Sequence, residues 1–232
     1  MATTYESLDL KMIQKKAKNL YGKEVLGYKC KDSDIANKWQ LVFADEEGIF
    51  IISENYVKFE DLPLTGNGGL PTEGYGDYSE SFEDLVNYYP GCNGAQSAIH
   101  YLTDRDLWGA FVGEKGLYAT GAITEKMLYD SYLTKHGEKP KYNMGRRNVY
   151  VPANKGMTKK MWVAGISKNH NNSLIVVDGR GFMTYADHSA PDVGIRPLVC
   201  LSPDITLNLK ADKLYIVWWC LVKFIFILLK II

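Results

Sequence analysis

At 232 residues the chain has ample length for one large domain or two small ones with a full core. Its 27 basic residues balance its 27 acidic ones, and no Lys/Arg cluster forms a basic face, so nucleic acid is excluded as an expected partner. Sixteen Tyr and five Trp suit a core and a contact surface alike, because each ring buries much area with few rotatable bonds.

Residues 1–21 lack the apolar run of a secretory signal and read as an N-terminal helix with Leu8, Met12 and Ile13 on one side. Residues 22–210 read as one α+β domain, and 211–232 as a hydrophobic tail. "KEVLGYKC" (23–30) and "KWQLVFA" (38–44) are strand-like, and "DEEG" (45–48) turns the chain into "IFIIS" (49–53), a hairpin. Residues 64–97 are rich in Gly and Tyr and form a long irregular stretch with one short helix from Ser81 to Tyr88. Asp104 is placed to cap a helix over "RDLWGAF". Thr124 caps another over "EKMLYDSYLTKH", which Gly137 ends, with Lys135 and His136 at its negative pole. Residues 138–160 are polar and loop-like, and Lys155, Lys159 and Lys160 within them read as a solvated surface. Strands resume at 160–166, 173–177 and 182–186, the last two joined by "DGRG" (178–181), and 194–207 reads as a further strand. Strands framing a central helical region predict an α+β fold rather than alternating βαβ units.

No phosphate loop, metalloprotease helix or nucleophile elbow is present. Histidines 100, 136, 170 and 188 show no metal-ligand spacing, and cysteines 30, 92, 200 and 220 form no CxxC pair, so neither metal nor cofactor is expected. Cys200 reads as a small core residue and Cys92 as a loop thiol. His188 stands beside Asp187, but neighbours on a strand face opposite ways. Asn171-Asn172-Ser173 matches a glycosylation sequon. Polar groups gather around the second hairpin: Asn169, His170, Asn171, Asn172, Arg180, Tyr185 and His188, with Trp162 nearby and Asp178 and Asp187 among them. They form the candidate ligand-binding surface.

The segment "MWVAGIS…GRGFMTYADHSAPDVGIRPLVCLSPDI" resembles the C-terminal half of uncharacterised bacterial and prophage proteins ending in "W-L-x-S-P…G-[VF]-R-P-x-[VL]-x-L". Some of those proteins carry a pilin-like leader. "YGKEVLGYKC", "KWQLVFADEEGIFIISENYV" and "FVGEKGLYATGAITEKMLYDSYLTKHG" are similar to the same family's N-terminal hairpin and middle helices. The closing arrangement is also similar to C-type-lectin-like domains of the formylglycine-generating and retroelement-diversified kinds, in which a Trp strand and a terminal G-[FV]-R strand close the core. The resemblance implies a C-type-lectin-like α+β single domain, with mixed and antiparallel strands around two or three helices. Departures are visible. "VAGIS" stands where the family has "LASPS", no pilin-like leader precedes the domain, and Cys200 lacks the neighbouring cysteine that a formylglycine-generating oxidase requires.

Within "GIRPLVCL", Pro197 biases Arg196 to extended backbone and withholds its own N–H, which suits the start of a strand. Gly194 lets the chain turn in, and Arg196 is expected to present its fork to Asp178 and Asp187. Trp39, Phe43, Ile51, Trp108, Leu128, Trp162, Val176 and Leu198 are predicted to share one core, with an edge of Trp162 exposed.

These readings point to a non-catalytic binding or display domain of bacterial or prophage origin, with a glycan or protein ligand. The rivals are a hydrolase using paired carboxylates or a Cys92 thiol, and a structural component of a prophage particle or pilus. The tail "LYIVWWCLVKFIFILLKII" (214–232) would span about 28 Å as a helix and carries a single central charge, Lys223. It is read as a transmembrane tail anchor holding the domain in the cytoplasm. A soluble cytoplasmic protein, a phage-particle protein, a final buried strand or helix, or an out-of-frame end are the alternatives. Each version predicts that residues 1–210 fold alone.

Overall fold

The computed structural model describes residues 5–57, 93–140, 142–143, 146–148, 150, 160–166, 173–188, 190 and 193–217. Its first helix begins at Asp9, whose Oδ1 accepts the Met12 N–H at 2.8 Å. Helix α1 (Leu10–Leu20) then buries Ile13, Ala17 and Leu20, one stripe at helical spacing. Leu8 is not part of that helix. It lies in β1 (Glu6–Leu8), so the N-terminal segment supplies a strand as well as a helix.

Among the described residues the strands form two sheets. The larger runs β1, β13 (Leu207–Lys210), β14 (Lys213–Ile216), β2 (Glu24–Leu26), β3 (Trp39–Ala44), β4 (Ile49–Ser53), β12 (Leu198–Leu201), β5 (Gly116–Thr120). The smaller runs β11 (Val193–Gly194), β8 (Lys160–Ile166), β9 (Ser173–Val177), β10 (Phe182–Asp187), β7 (Arg146–Asn148), β6 (Tyr142–Asn143). Pairing is antiparallel except at β14–β2 and β11–β8. Helices α2 (Asn93–Thr103) and α3 (Glu125–His136) complete a mixed α+β protein dominated by strands.

Both expected hairpins are present, β3–β4 with Trp39 opposite Ser53 and β9–β10 with Met183 opposite Val177. Helix α3 starts at Thr124, whose Oγ1 accepts the Met127 N–H, and stops at Gly137 in the left-handed region with φ 73°. The helix expected over "RDLWGAF" is instead a turn and a short 3-10 segment, Gly109–Phe111. Asp104 Oδ1 accepts from Asp106 N–H, an Asx turn that competes with α-helix at that point. The α-helix lies just before it, in α2, and β5 follows where no strand was expected. The short helix expected at 81–88 lies outside the described residues.

All eight predicted core residues belong to one buried cluster that spans both sheets. Strand β12 sits inside it between β4 and β5, and all four of its residues are buried. The expected C-terminal helix is corrected at its start. Residues 213–216 are strand β14, with Leu214 and Ile216 buried and Lys213 and Tyr215 turned outward. That alternation of period two is what a half-buried strand requires. Residues 218–232 lie outside the described residues, and among those described no helix is long and apolar enough to cross a membrane.

Candidate functional site

The predicted hairpin surface falls only partly within the described residues. Its turn is built by Asp178, whose Oδ1 accepts the N–H groups of Arg180 at 2.9 Å and Phe182 at 3.0 Å. Burial pushes the Asp178 carboxyl up, but these N–H groups and the Arg180 guanidinium outweigh it and hold it below the usual carboxylate range. Arg180 is exposed and folds back onto Asp178, with Nη2 3.0 Å from Oδ2. Tyr185 is exposed on β10. Asn169, His170, Asn171 and Asn172 lie outside the described residues.

Trp162 and His188 are corrections. Trp162 keeps no exposed edge: it is 1 % accessible, because β8 is an interior strand with Val176 opposite and α2 packed against it. Its Nε1 has no hydrogen-bond partner among the described residues. His188 is also buried, with Nε2 4.0 Å from the carboxylate of the exposed Asp187.

Arg196 is a correction of a different kind. Among its partners are the Ser53 carbonyl, which accepts from Nε at 2.6 Å, and Gln40 Oε1, which accepts from Nη2 at 3.3 Å; the Met161 sulfur lies 4.0 Å from Nη1. Asp178 is engaged by Arg180, and Asp187 faces solvent. The Ser53 N–H donates to Pro197 C=O, so the start of β12 is fixed against the end of β4 and directs Arg196 across the first sheet toward β8. Burial pushes this guanidinium down to about 10, partly offset by Tyr56 and Glu54. Arg196 therefore stitches one sheet to the other. Pro197 precedes the first residue of β12, as its missing N–H requires. Gly194 is needed for close approach rather than for a turn: a Cβ there would lie 2.2 Å from the Tyr56 ring.

A cleft of about 530 Å³ lies at the β5 edge of the larger sheet. The β3–β4 turn brings in Glu47, whose N–H donates to Asp45 Oδ1 at 2.9 Å. The Asx turn after α2 brings in Arg105 and Asp106. Arg105 stacks on Tyr118, its guanidinium carbon 3.4 Å from the ring centroid, and Nη2 donates to Glu47 Oε1 at 3.1 Å. Burial, then the hydrogen bond with the Glu47 carboxylate, raises the Tyr118 phenol, which stays protonated. Leu117 adds an exposed apolar side chain. Beneath them Cys200 is fully buried, and burial followed by the Glu47 charge pushes its thiol up to about 12. Burial raises Cys30 as well. Neither thiol is a thiolate at neutral pH, so neither is an activated nucleophile, and Cys92 lies outside the described residues.

Sequence reasoning missed this cleft. Glu47, Arg105 and Tyr118 come from a turn, an expected helix and an unread strand, and no spacing links them. Among the described residues no three His, Cys, Asp or Glu side chains are grouped as metal ligands would be. No protein-family model, no curated protein and no solved structure matches the chain.

Proposed function

We propose that the protein is a non-catalytic binding domain with a C-type-lectin-like arrangement, and that it takes a glycan in the Glu47–Arg105–Tyr118 cleft. The observation that carries this reading is the Arg105 guanidinium stacked on Tyr118 and paired with Glu47 in an open cleft. Sugar hydroxyls are donors and acceptors at once. Glu47 and Asp106 supply acceptors, Arg105 supplies donors, and Leu117 supplies an apolar face for ring C–H groups. The fixed stack holds these groups in place before a ligand arrives, which lowers the ordering cost of binding.

The lectin-like arrangement is supported by the pairing of β11 with β8, which sets the Gly194–Arg196 segment beside the Trp162 strand. The resemblance to uncharacterised bacterial and prophage proteins rests on the same segment.

The test is a glycan array with the wild type, Arg105→Ala, Glu47→Gln and an Arg180→Ala/Tyr185→Ala double variant. Saccharide binding should be lost in the first two variants and kept in the third. A wild type that retains no saccharide overturns the reading, as does unchanged binding by folded Arg105→Ala and Glu47→Gln.

A further inference from the structure

A second cleft, of about 620 Å³, opens where α1 ends, beside β2 and β14 of the larger sheet. Helix α1 leaves backbone carbonyls without intrahelical partners at its C-terminus. Lys135 of α3 meets two of them: its Nζ donates to Lys18 C=O at 3.1 Å and to Tyr21 C=O at 2.7 Å. The Tyr150 hydroxyl donates to the same Tyr21 oxygen at 3.0 Å. An ammonium group has three N–H donors, so one remains, and Lys135 lines the cleft. Among the described residues no carboxylate pairs with it. Burial, then the neighbouring Lys23 charge, lowers its affinity for its proton, the mark of a cation short of counter-charge.

The other charges do not fill that deficit. Lys23 pairs with Asp212, whose side chain is 84 % exposed and therefore weakly held. Lys213 pairs with Glu24 at 2.7 Å. Three lysines against two carboxylates leave the lining one positive charge in excess. Asp212 sits in the two-residue β13–β14 turn beside Ala211, with both at positive φ, 69° and 45°. Non-glycine residues populate that region rarely, and here both line the cleft mouth.

We propose that this cleft binds the phosphate group of a small phosphorylated ligand, with Lys135 as the central donor and Lys23 and Lys213 as flanking charges. Three ammonium point charges with no arginine in the lining suit a tetrahedral phosphate better than a planar carboxylate, which prefers the guanidinium fork. The volume exceeds that of phosphate alone and leaves space for the organic part. Asp212 acts as a competing anion that a phosphate displaces from Lys23.

Calorimetric titration of the full chain with inorganic phosphate and with glycerol 3-phosphate, at matched chloride ionic strength, tests this. Saturable binding of both is expected, weakened about tenfold in Lys135→Gln and less in Lys213→Gln, and weakened by added salt. Asp212→Asn should bind more tightly than the wild type, an effect that a purely structural role for these lysines would not produce. Lys135 also holds the end of α1, so if Lys135→Gln does not fold, Lys213→Gln and Asp212→Asn decide. A wild type without saturable heat overturns the proposal, and so do equal affinities in the wild type, Lys213→Gln and Asp212→Asn.

Discussion

The two sheets differ in what they carry. The larger one gathers β1 and β2 from the start of the chain with β13 and β14 from its end, and both clefts lie on its rim. The smaller one, apart from β11, is built from residues 142–187, and it holds the polar hairpin that stands out in the sequence. Its most conspicuous ring, Trp162, faces the core. Clustering in sequence thus marks a local surface, whereas the concave sites arise where distant segments converge.

The comparison makes the C-terminal strand essential to the larger sheet. β14 lies between β13 and β2, so truncation after Lys210 separates β2 from β13 and removes Leu214 and Ile216 from the core. Each of those side chains contributes roughly 1.5–3 kcal/mol of burial, and both neighbouring strands lose a ladder. Residues 1–217 should unfold cooperatively in urea, and residues 1–210 should lose most of that transition. Equal midpoints and slopes for the two chains would show that β14 is dispensable.

Alkaline pH acts on the same region. Burial raises Tyr21, opposed in part by the Ala44 N–H, and burial raises Tyr150; both reach about 12 from 10.0. The unfolded chain releases these protons first, so their contribution is complete below pH 10 and is lost as pH rises through about 12. A circular-dichroism titration at fixed low urea should show the loss beginning near pH 10. Replacing both residues by Phe should flatten that limb, and an unchanged limb would assign it to other groups.

In the smaller sheet the contrast is between core and surface. Trp162→Ala should destabilise by roughly 3–5 kcal/mol, while Tyr185→Ala should stay within about 0.5 kcal/mol. Denaturation midpoints at constant slope read both. Similar values for the two would mean that the hairpin face is packed.

Much of the fold is legible because it is local. Thr124 and Gly137 bracket α3, the alternating and apolar runs mark β3, β4, β8 and β9, and Pro197 marks the start of β12. Strand β14 was not legible, because Leu214 and Ile216 open an unbroken apolar run and their alternation of burial arises only in the fold. Arg196 reaches Ser53 and Gln40, in the larger sheet. That reach depends on β12 lying beside β4, which no window of sequence contains. The clefts were illegible for the same reason: Arg105 lies 58 residues from Glu47, and Lys23 lies 189 from Asp212.

The smallest effect concerns the helix that joins the two sheets. Ser131 of α3 donates to Val42 C=O in β3 at 2.8 Å, and at the other end Thr124 bridges to Ala164 in β8. Thr124 is also the N-cap. Removing its hydroxyl leaves the Met127 N–H without that acceptor at 3.2 Å, and such losses cost about 1 kcal/mol. Thr124→Ala should therefore lower the urea midpoint with no change in slope, and Thr124→Ser, which keeps the cap oxygen, should recover most of it. Because α3 is held to β3 separately through Ser131, the Thr124→Ala and Ser131→Ala losses should add if each end is fixed independently. A double variant that loses clearly more or less than the sum would show that the two sheets sense one another through this helix.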